Sequence, residues 1–369
     1  AYFAAIDRPR TAGRHIRAID PDEIPRPPLG KLVMGVGIRL FGMTPFGWRF
    51  MGTLFGVGML PLLYVFLKNL FGRTSIATCG TVLLAADFMH LTQTRLATID
   101  TYAFFFILLM YYFMYRYLTL PAGAPFRKCA LPLFLSGLFW GIGAASKWTV
   151  IYGCTGLVVL YFIGLYQKLR DWPADGETGA RQPGRLKWAF QILAFSVLVF
   201  ALIPAAIYTL SYLPYAWAEG DSSLTGLVGA MWENQKYMLS DHGGVTDTHP
   251  YSSRWYQWLF DIRPILYYMD NSVPGYTTRF AAFVNPVVCW GGLLAVLAGA
   301  VQAGRRRCAS ALFIVIGYLA QLVPGFFIGR ITFAYHYFPS VLFLILALCY
   351  VFYSLSEQEE LIAWKPAMY

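Results

Sequence analysis

Charge is what this chain has least of. Asp, Glu, Lys and Arg make up 13% of its 369 residues, against about 25% in a usual soluble domain. That excludes an ordinary water-soluble globule. Cysteine is sparse as well: there are six, and none lies in 1–49 or 214–280, the stretches poorest in long apolar runs. The disulfide framework of a small secreted domain is therefore excluded. No Cys/His cluster has the spacing of a metal site, and no basic-aromatic module of a nucleic-acid binder is present. Neither metal, cofactor nor nucleic-acid partner is expected. The chain also lacks a starting Met and a signal-peptide pattern. It opens on Ala1 and closes on "LIAWKPAMY", which begins another element. It reads as a segment of a longer protein, cut at both ends.

Apolar residues, by contrast, are 57% of the chain and aromatics 18%. Runs of roughly 18 to 25 apolar residues recur, each long enough for a hydrocarbon core of about 30 Å. Trp and Tyr gather where the runs end, as residues anchored at a membrane interface do. The fold class is an all-α polytopic membrane protein. About nine spans are expected, over 50–71, 74–95, 100–119, 131–147, 149–167, 188–213, 281–303, 310–328 and 331–354. "GKLVMGVGIRLFGM" is too short and Gly-rich to cross, and reads as an interfacial helix. The chain thus divides into a first outer loop (1–49), an N-terminal transmembrane region (50–213), a large aromatic outer loop (214–280) and a C-terminal transmembrane region (281–369).

Basic residues orient the bundle. Lys68, Arg73, Arg116, Arg127, Lys128, Lys168, Arg170, Arg181, Arg185, Lys187 and the "RRR" at 305–307 all fall on one face when the spans alternate. The positive-inside rule makes that face cytoplasmic. The net charge of +10 then follows mostly from topology, and 1–49 and 214–280 lie outside.

Charges at span ends cost about 2.5 to 3.5 kcal/mol each on insertion scales, so each asks for a reason. Arg95 and Asp100 bracket a turn in "TQTRLATIDTYAFFF". A local salt bridge closing the turn explains them, and so does a site. Lys147 in "GAASKWTVIY" reads as a lysine snorkelling beside Trp148 or as a ligand contact. Arg330 and His336 stand in "GRITFAYHYFP". Taken together, Arg95, Lys147 and Arg330 put three cations on the outer side, where topology alone does not favour them. Such a cluster at headgroup depth suits a lipid phosphate. The outer loop carries "HPYSSRWYQWLFDIRPILYY" at 249–268. Its aromatics fit an interfacial belt, but the interleaved charges point to a loop facing a substrate.

These pieces resemble a known family. "RPPLGK" at 26–31 resembles the "HPPLGK" signature of the protein O-mannosyltransferases. "PFGWR" at 45–49, "TRLATIDTYAFFF" at 94–106, "SKWT" at 146–149, the 249–268 segment and "YHYFP" at 335–339 follow in that family's order. The likeness is to bacterial members, which lack the domain inserted in the outer loop of eukaryotic ones. It implies a glycosyltransferase C-type fold. It also implies transfer of mannose from a polyprenyl-phosphate donor to Ser/Thr hydroxyls of translocating proteins, at the extracytoplasmic face of the bacterial plasma membrane. Inversion at the anomeric carbon, without metal, is expected. The partners implied are polyprenyl-phosphate-mannose, a Ser/Thr-containing acceptor protein, membrane lipids and the translocation machinery.

In the family an Asp-Glu pair supplies the catalytic carboxylate, some twenty residues before the Pro-Pro step. "AYF" at 1–3 resembles the residues that follow it, so the pair is expected upstream of Ala1. Asp22 and Glu23, in the turn before the signature, are the fallback. Carried over by position, Arg95, Lys147 and Arg330 are phosphate contacts and Asp100 orients Arg95. Arg26, Lys31, His249, Trp255, Arg263, His336 and Tyr337 face the substrate. Arg26 departs from the family's His, which leaves that position's role open. Two other functions fit the same residues: a lipid-linked glycosyltransferase acting on a glycolipid or polysaccharide, and an anionic-lipid transporter. The transporter reading expects charges near the midplane, whereas these collect at one face.

Overall fold

The computed structural model describes residues 26–173, 184–221, 223–244, 249–306 and 308–357. Asp22, Glu23, Arg181 and Arg307 lie outside the described residues.

The chain enters through a helical hairpin. Helix α1 (Leu29–Phe41) has 13 residues, about 20 Å of length, too short to cross, as expected of "GKLVMGVGIRLFGM". Pro45 and the Thr44 hydroxyl, which accepts from the Gly47 amide, start α2 (Pro45–Phe71). Gly72, at φ 72°, ends it. Gly37 and Gly47 let α1 and α2 touch: a Cβ on Gly37 would stand 2.4 Å from the Gly47 carbonyl oxygen.

The single span expected over 74–95 is two helices instead, α3 (Thr74–Ala85) and α4 (Phe88–Gln93). Asp87 breaks the run. It is fully buried; one carboxylate oxygen accepts the His90 amide at the start of α4, and the other accepts the Asn285 amide at 2.8 Å. A buried carboxylate needs such donors, and a helix interior does not offer them.

Helix α5 (Asp100–Leu118) follows as expected, but as the centre of the bundle: 13 of its 19 residues are buried. It packs against α2, α6 (Phe126–Ser146) and α7 (Thr149–Arg170). Protein covers most of it, so Tyr102, Tyr111 and Tyr117 meet side chains rather than lipid. Next comes one long run, α8 (Arg185–Val197), a π-helical turn at Leu198–Leu202 and α9 (Ile203–Leu210). Pro204 has no N–H to return to the Phe200 carbonyl at α-helical spacing, and Trp140 Nε1 donates to that carbonyl at 3.0 Å. Gly137 on α6 permits the approach, since a Cβ there would lie 2.1 Å from the Val199 oxygen.

The segment expected to lie outside, here called the outer segment, contains α10 (Leu213–Glu219), α11 (Leu224–Gly244), the single turn α12 (Trp255–Trp258) and an antiparallel hairpin of β1 (Ile265–Asp270) and β2 (Thr278–Ala282). The apolar run expected to cross from 281 therefore leaves a strand first and becomes helical at Val287, leading into α13 (Gly292–Arg306). Helices α14 (Ala309–Leu322) and α15 (Phe338–Ser356) complete the bundle. Among the described residues, seven helices or helical runs are long and apolar enough to cross a membrane. The two expected spans not among them are the broken α3–α4 pair and α5, long enough at 19 residues but made less apolar by its five tyrosines, Asp100 and Arg116.

One end of the bundle gathers basic residues. Lys168 bonds to the carbonyls of Leu118 and Leu120, Arg73 pairs with Glu357, and Trp188 Nε1 donates to Ala124 O at 2.9 Å. The opposite end is where the outer segment folds over the helix tips.

Candidate functional site

Four chain segments meet at that opposite end, and each delivers a charged or aromatic group. The "RPPLGK" segment brings Arg26. Its glycine sets the depth: a Cβ on Gly30 would lie 2.9 Å from the Ile99 side chain and 3.1 Å from the Ser146 oxygen. Those two residues directly precede Asp100 and Lys147. The first turn of α1 is thus seated on the very backbone that presents the ion pair.

Asp100 opens α5, where a carboxylate also favours the helix dipole. Lys147 caps α6 in extended conformation (φ −161°, ψ 136°), which separates α6 from α7 and turns its side chain inward. Asp100 and Lys147 form a salt bridge, with side chains only 8% and 11% exposed. Sequence alone paired Asp100 with Arg95; the structure corrects this, because the α6–α7 break brings Lys147 to Asp100. Arg95 is exposed on the turn between α4 and α5 and makes no ion pair among the described residues.

The 328–337 segment supplies Arg330, Tyr335 and His336. The Lys147 ammonium lies 5.2 Å from the centre of the Tyr335 ring, a cation–π contact. Arg26 bonds to the Tyr335 hydroxyl. Burial pushes the Lys147 pKa below that of an exposed lysine; the Asp100 carboxylate opposes the shift, and the Arg26 and Arg330 charges add to it. Among the described residues, cations therefore outnumber the carboxylate around the buried Lys147–Asp100 pair. Such a cluster is costly empty and is relieved by an anion.

The outer segment roofs this cluster. Ser253 and Thr332 exchange two bonds, Ser253 N to Thr332 O at 2.8 Å and Thr332 Oγ1 to Ser253 O at 2.6 Å. Trp258 stacks on His336, with ring centres 6.0 Å apart and planes 7° apart, and His336 stacks in turn on Tyr335 at 4.6 Å. Trp255 packs on Phe326 at 3.9 Å. In the hairpin the register slips between Leu266 and Tyr268, so Tyr267 is the bulged residue. A bulge re-aims a side chain: the Tyr267 hydroxyl accepts from Gln93 Nε2 at 2.8 Å and lies within electrostatic reach of Asp100 and Arg26.

Other expected residues sit elsewhere. Tyr337 turns into the core, 1% exposed, with its hydroxyl 2.7 Å from that of Tyr318. Exposed Arg263 donates to the Ser252 carbonyl, a contact within its own loop. His249 packs its ring against Phe333 at 5.2 Å. Lys31 is half-buried on the first turn of α1. Sequence reasoning missed Tyr335, Tyr267, Gln93 and Trp258. The first lay beside the chosen His336, and the bulge that turns Tyr267 inward has no mark in the sequence.

An apolar groove of about 460 Å³ opens beside the cluster between α7 and α14, lined by Tyr152, Thr155, Leu319, Val323, Pro324 and Phe327 among others. Tyr152, on its wall, is within electrostatic reach of Arg330.

A polytopic helical bundle with a charged site at one end, roofed by an outer segment, is the glycosyltransferase C-type fold. The chain superposes on the S. cerevisiae protein O-mannosyltransferase Pmt1-Pmt2 complex, solved bound to its sugar donor, with TM-score 0.77 and 13% identity, over 94% of this chain and 80% of that one. ArnT from Cupriavidus metallidurans, bound to undecaprenyl phosphate, superposes with TM-score 0.57 and 17% identity, over 97% of this chain and 54% of that one. Residues 35–218 match the family described as dolichyl-phosphate-mannose-protein mannosyltransferase. Residues 227–366 match the C-terminal four TMM region of protein-O-mannosyltransferase. The chain belongs to the protein O-mannosyltransferase family. Curated relatives include the polyprenol-phosphate-mannose--protein mannosyltransferases of Mycobacterium tuberculosis and Corynebacterium glutamicum, each 26% identical over 81% of this chain and 64% of the relative. The chain thus spans just under two thirds of these relatives' length.

Proposed function

We propose that the protein transfers mannose from a polyprenyl-phosphate-linked donor to Ser/Thr hydroxyls of proteins, at the extracytoplasmic face of a bacterial plasma membrane, with inversion. One observation carries the reading: among the described residues, Arg26, Lys147 and Arg330 gather around the carboxylate of Asp100, and an apolar groove lies alongside, with Tyr152 on its wall within electrostatic reach of Arg330. The cations suit the donor's phosphate and the groove its prenyl chain. As the sugar–phosphate bond breaks, the departing phosphate gains charge, and fixed cations in a dry pocket stabilise that charge more than water does. Exposed Arg95 is a further phosphate contact as the lipid arrives. Because protein cations meet the leaving group, the reaction as proposed calls on no cofactor.

An alcohol is a weak nucleophile, so a carboxylate must accept its proton during attack. Asp100 is held by Lys147 and is poorly placed for that task. The base is assigned to the family's Asp-Glu pair, ahead of "AYF", with Asp22 and Glu23 as the local alternative. Acceptors arrive as unfolded chains from the translocation machinery.

The test is a reconstituted assay of the natural full-length protein with labelled polyprenyl-phosphate-mannose and a Ser/Thr peptide. Mannosylated peptide is expected, with Lys147→Ala and Arg95→Ala each lowering kcat/KM by about 100-fold or more, roughly the loss of one charged contact to the transition state. If the donor is consumed only when a glycolipid or polysaccharide replaces the peptide, the acceptor assignment is wrong. If both variants keep full activity, the phosphate site is wrong.

A further inference from the structure

The hairpin has more exposed apolar surface than its own fold explains. Its base is packed, with Ile265 7% and Ala282 0% exposed. Beyond the bulge it leaves the protein: every residue from 271 to 280 is exposed. Tyr268 and Met269, which point to opposite faces, are 55% and 50% exposed, and Phe280 is 41% exposed. Among the described residues, neither face is fully covered there. An isolated two-stranded hairpin is marginal in water, and an exposed apolar edge strand is a template for pairing. Among the described residues, no backbone group outside the hairpin bonds to either strand. Helix α4 packs beside β2, and among the described residues no backbone group pairs with the outer edge of β1.

The strand is tied to the charged site by one side chain. The same strand carries Tyr267, which bonds to Gln93 and stands near Asp100 and Arg26. A chain lying along β1 would pass the strand position that carries Tyr267, the residue within electrostatic reach of Asp100 and Arg26.

We propose that the outer edge of β1 binds the acceptor polypeptide as an added, extended strand. The inference rests on the reading of the protein as a protein glycosyltransferase, and names how its acceptor is held. Backbone pairing suits that task. It needs an unfolded segment, reads little of the sequence, and turns alternate side chains to one face, so that a Ser or Thr hydroxyl is directed inward wherever one occurs. The six residues of β1 match an acceptor stretch of similar length, and Tyr268 and Met269 flank it with apolar surface.

The test uses the natural full-length protein in lipid nanodiscs with polyprenyl-phosphate-mannose and a ten-residue peptide holding one Thr. Backbone N-methyl groups are placed one position at a time. Methylation of alternate residues is expected to raise KM about tenfold, the cost of a lost hydrogen bond plus a steric clash, while the intervening positions change little. A photo-crosslinking group on the peptide is expected to label 265–270. N-methyl effects without a two-residue period overturn the proposal, as does crosslinking confined to other segments, 1–25 or a second copy included. Because the changes are made in the peptide, misfolding of the enzyme does not enter. If the unmethylated peptide is not mannosylated at all, the function reading fails and this inference with it; mannosylation with a flat N-methyl profile removes this inference alone.

Discussion

Asp100 and Lys147 stabilise each other in a place where neither belongs alone. Removing one partner of a buried pair leaves the other charge uncompensated, at a cost of about 3 to 5 kcal/mol. Here the remaining charge would be Lys147, already pressed by Arg26 and Arg330. Asp100→Asn is therefore expected to lower the thermal midpoint of the detergent-solubilised protein. Polyprenyl phosphate should then raise that midpoint more in the variant than in the wild type, because the ligand supplies the missing negative charge. A scanning-fluorimetry titration compares the two. Equal shifts would show that the lipid phosphate does not sit beside Lys147.

Among the elements, α1 does the least crossing and the most positioning. It is short and leaves Leu40 64% exposed, yet its Gly30 rests against Ile99 and Ser146, the residues before the ion pair. Gly30→Ala asks these neighbours to give by a few tenths of an ångström, and both are anchored in packed helix ends. The expected result is a fall in kcat of about tenfold, since small misplacements at a reacting centre are costly, with little loss of thermal stability. A large loss of stability with kcat preserved in the folded fraction would make Gly30 a packing residue only. The π-turn at Leu198–Leu202 plays a comparable part in α8–α9, because it carries the run past the close contact at Gly137 and on towards the outer segment.

For the whole molecule, the two ends of the bundle differ in chemistry: one holds scattered basic residues, the other a buried cationic cluster under an aromatic roof. The proposed orientation in the membrane rests on the first and the proposed function on the second. In a cysteine-free background, Arg279→Cys on the hairpin should react with a membrane-impermeant maleimide in intact cells. Lys187→Cys at the opposite end should react only after permeabilisation. Both positions are exposed, so labelling reports sidedness; the reverse pattern would place the site in the cytoplasm.

Much of this was readable beforehand. The apolar runs, the basic clusters and the segments "RPPLGK", "SKWT" and "YHYFP" are local in sequence, and the cost of placing a charge or a peptide group in hydrocarbon acts locally too. The sequence by itself therefore determined the class of protein, and of the three cations it grouped, Arg95, Lys147 and Arg330, the fold brings the last two within electrostatic reach of each other. Tertiary structure alone decided the rest. Asp100 lies five positions from Arg95, yet it pairs with Lys147, 47 residues away, because helix packing and not chain proximity sets the distance. Asp87 breaks a span because an amide 198 residues further on completes its bonds. Tyr267 reaches the site because strand pairing slips by one residue. Each of these depends on where two distant segments meet, and a run of residues carries that information only after it has packed.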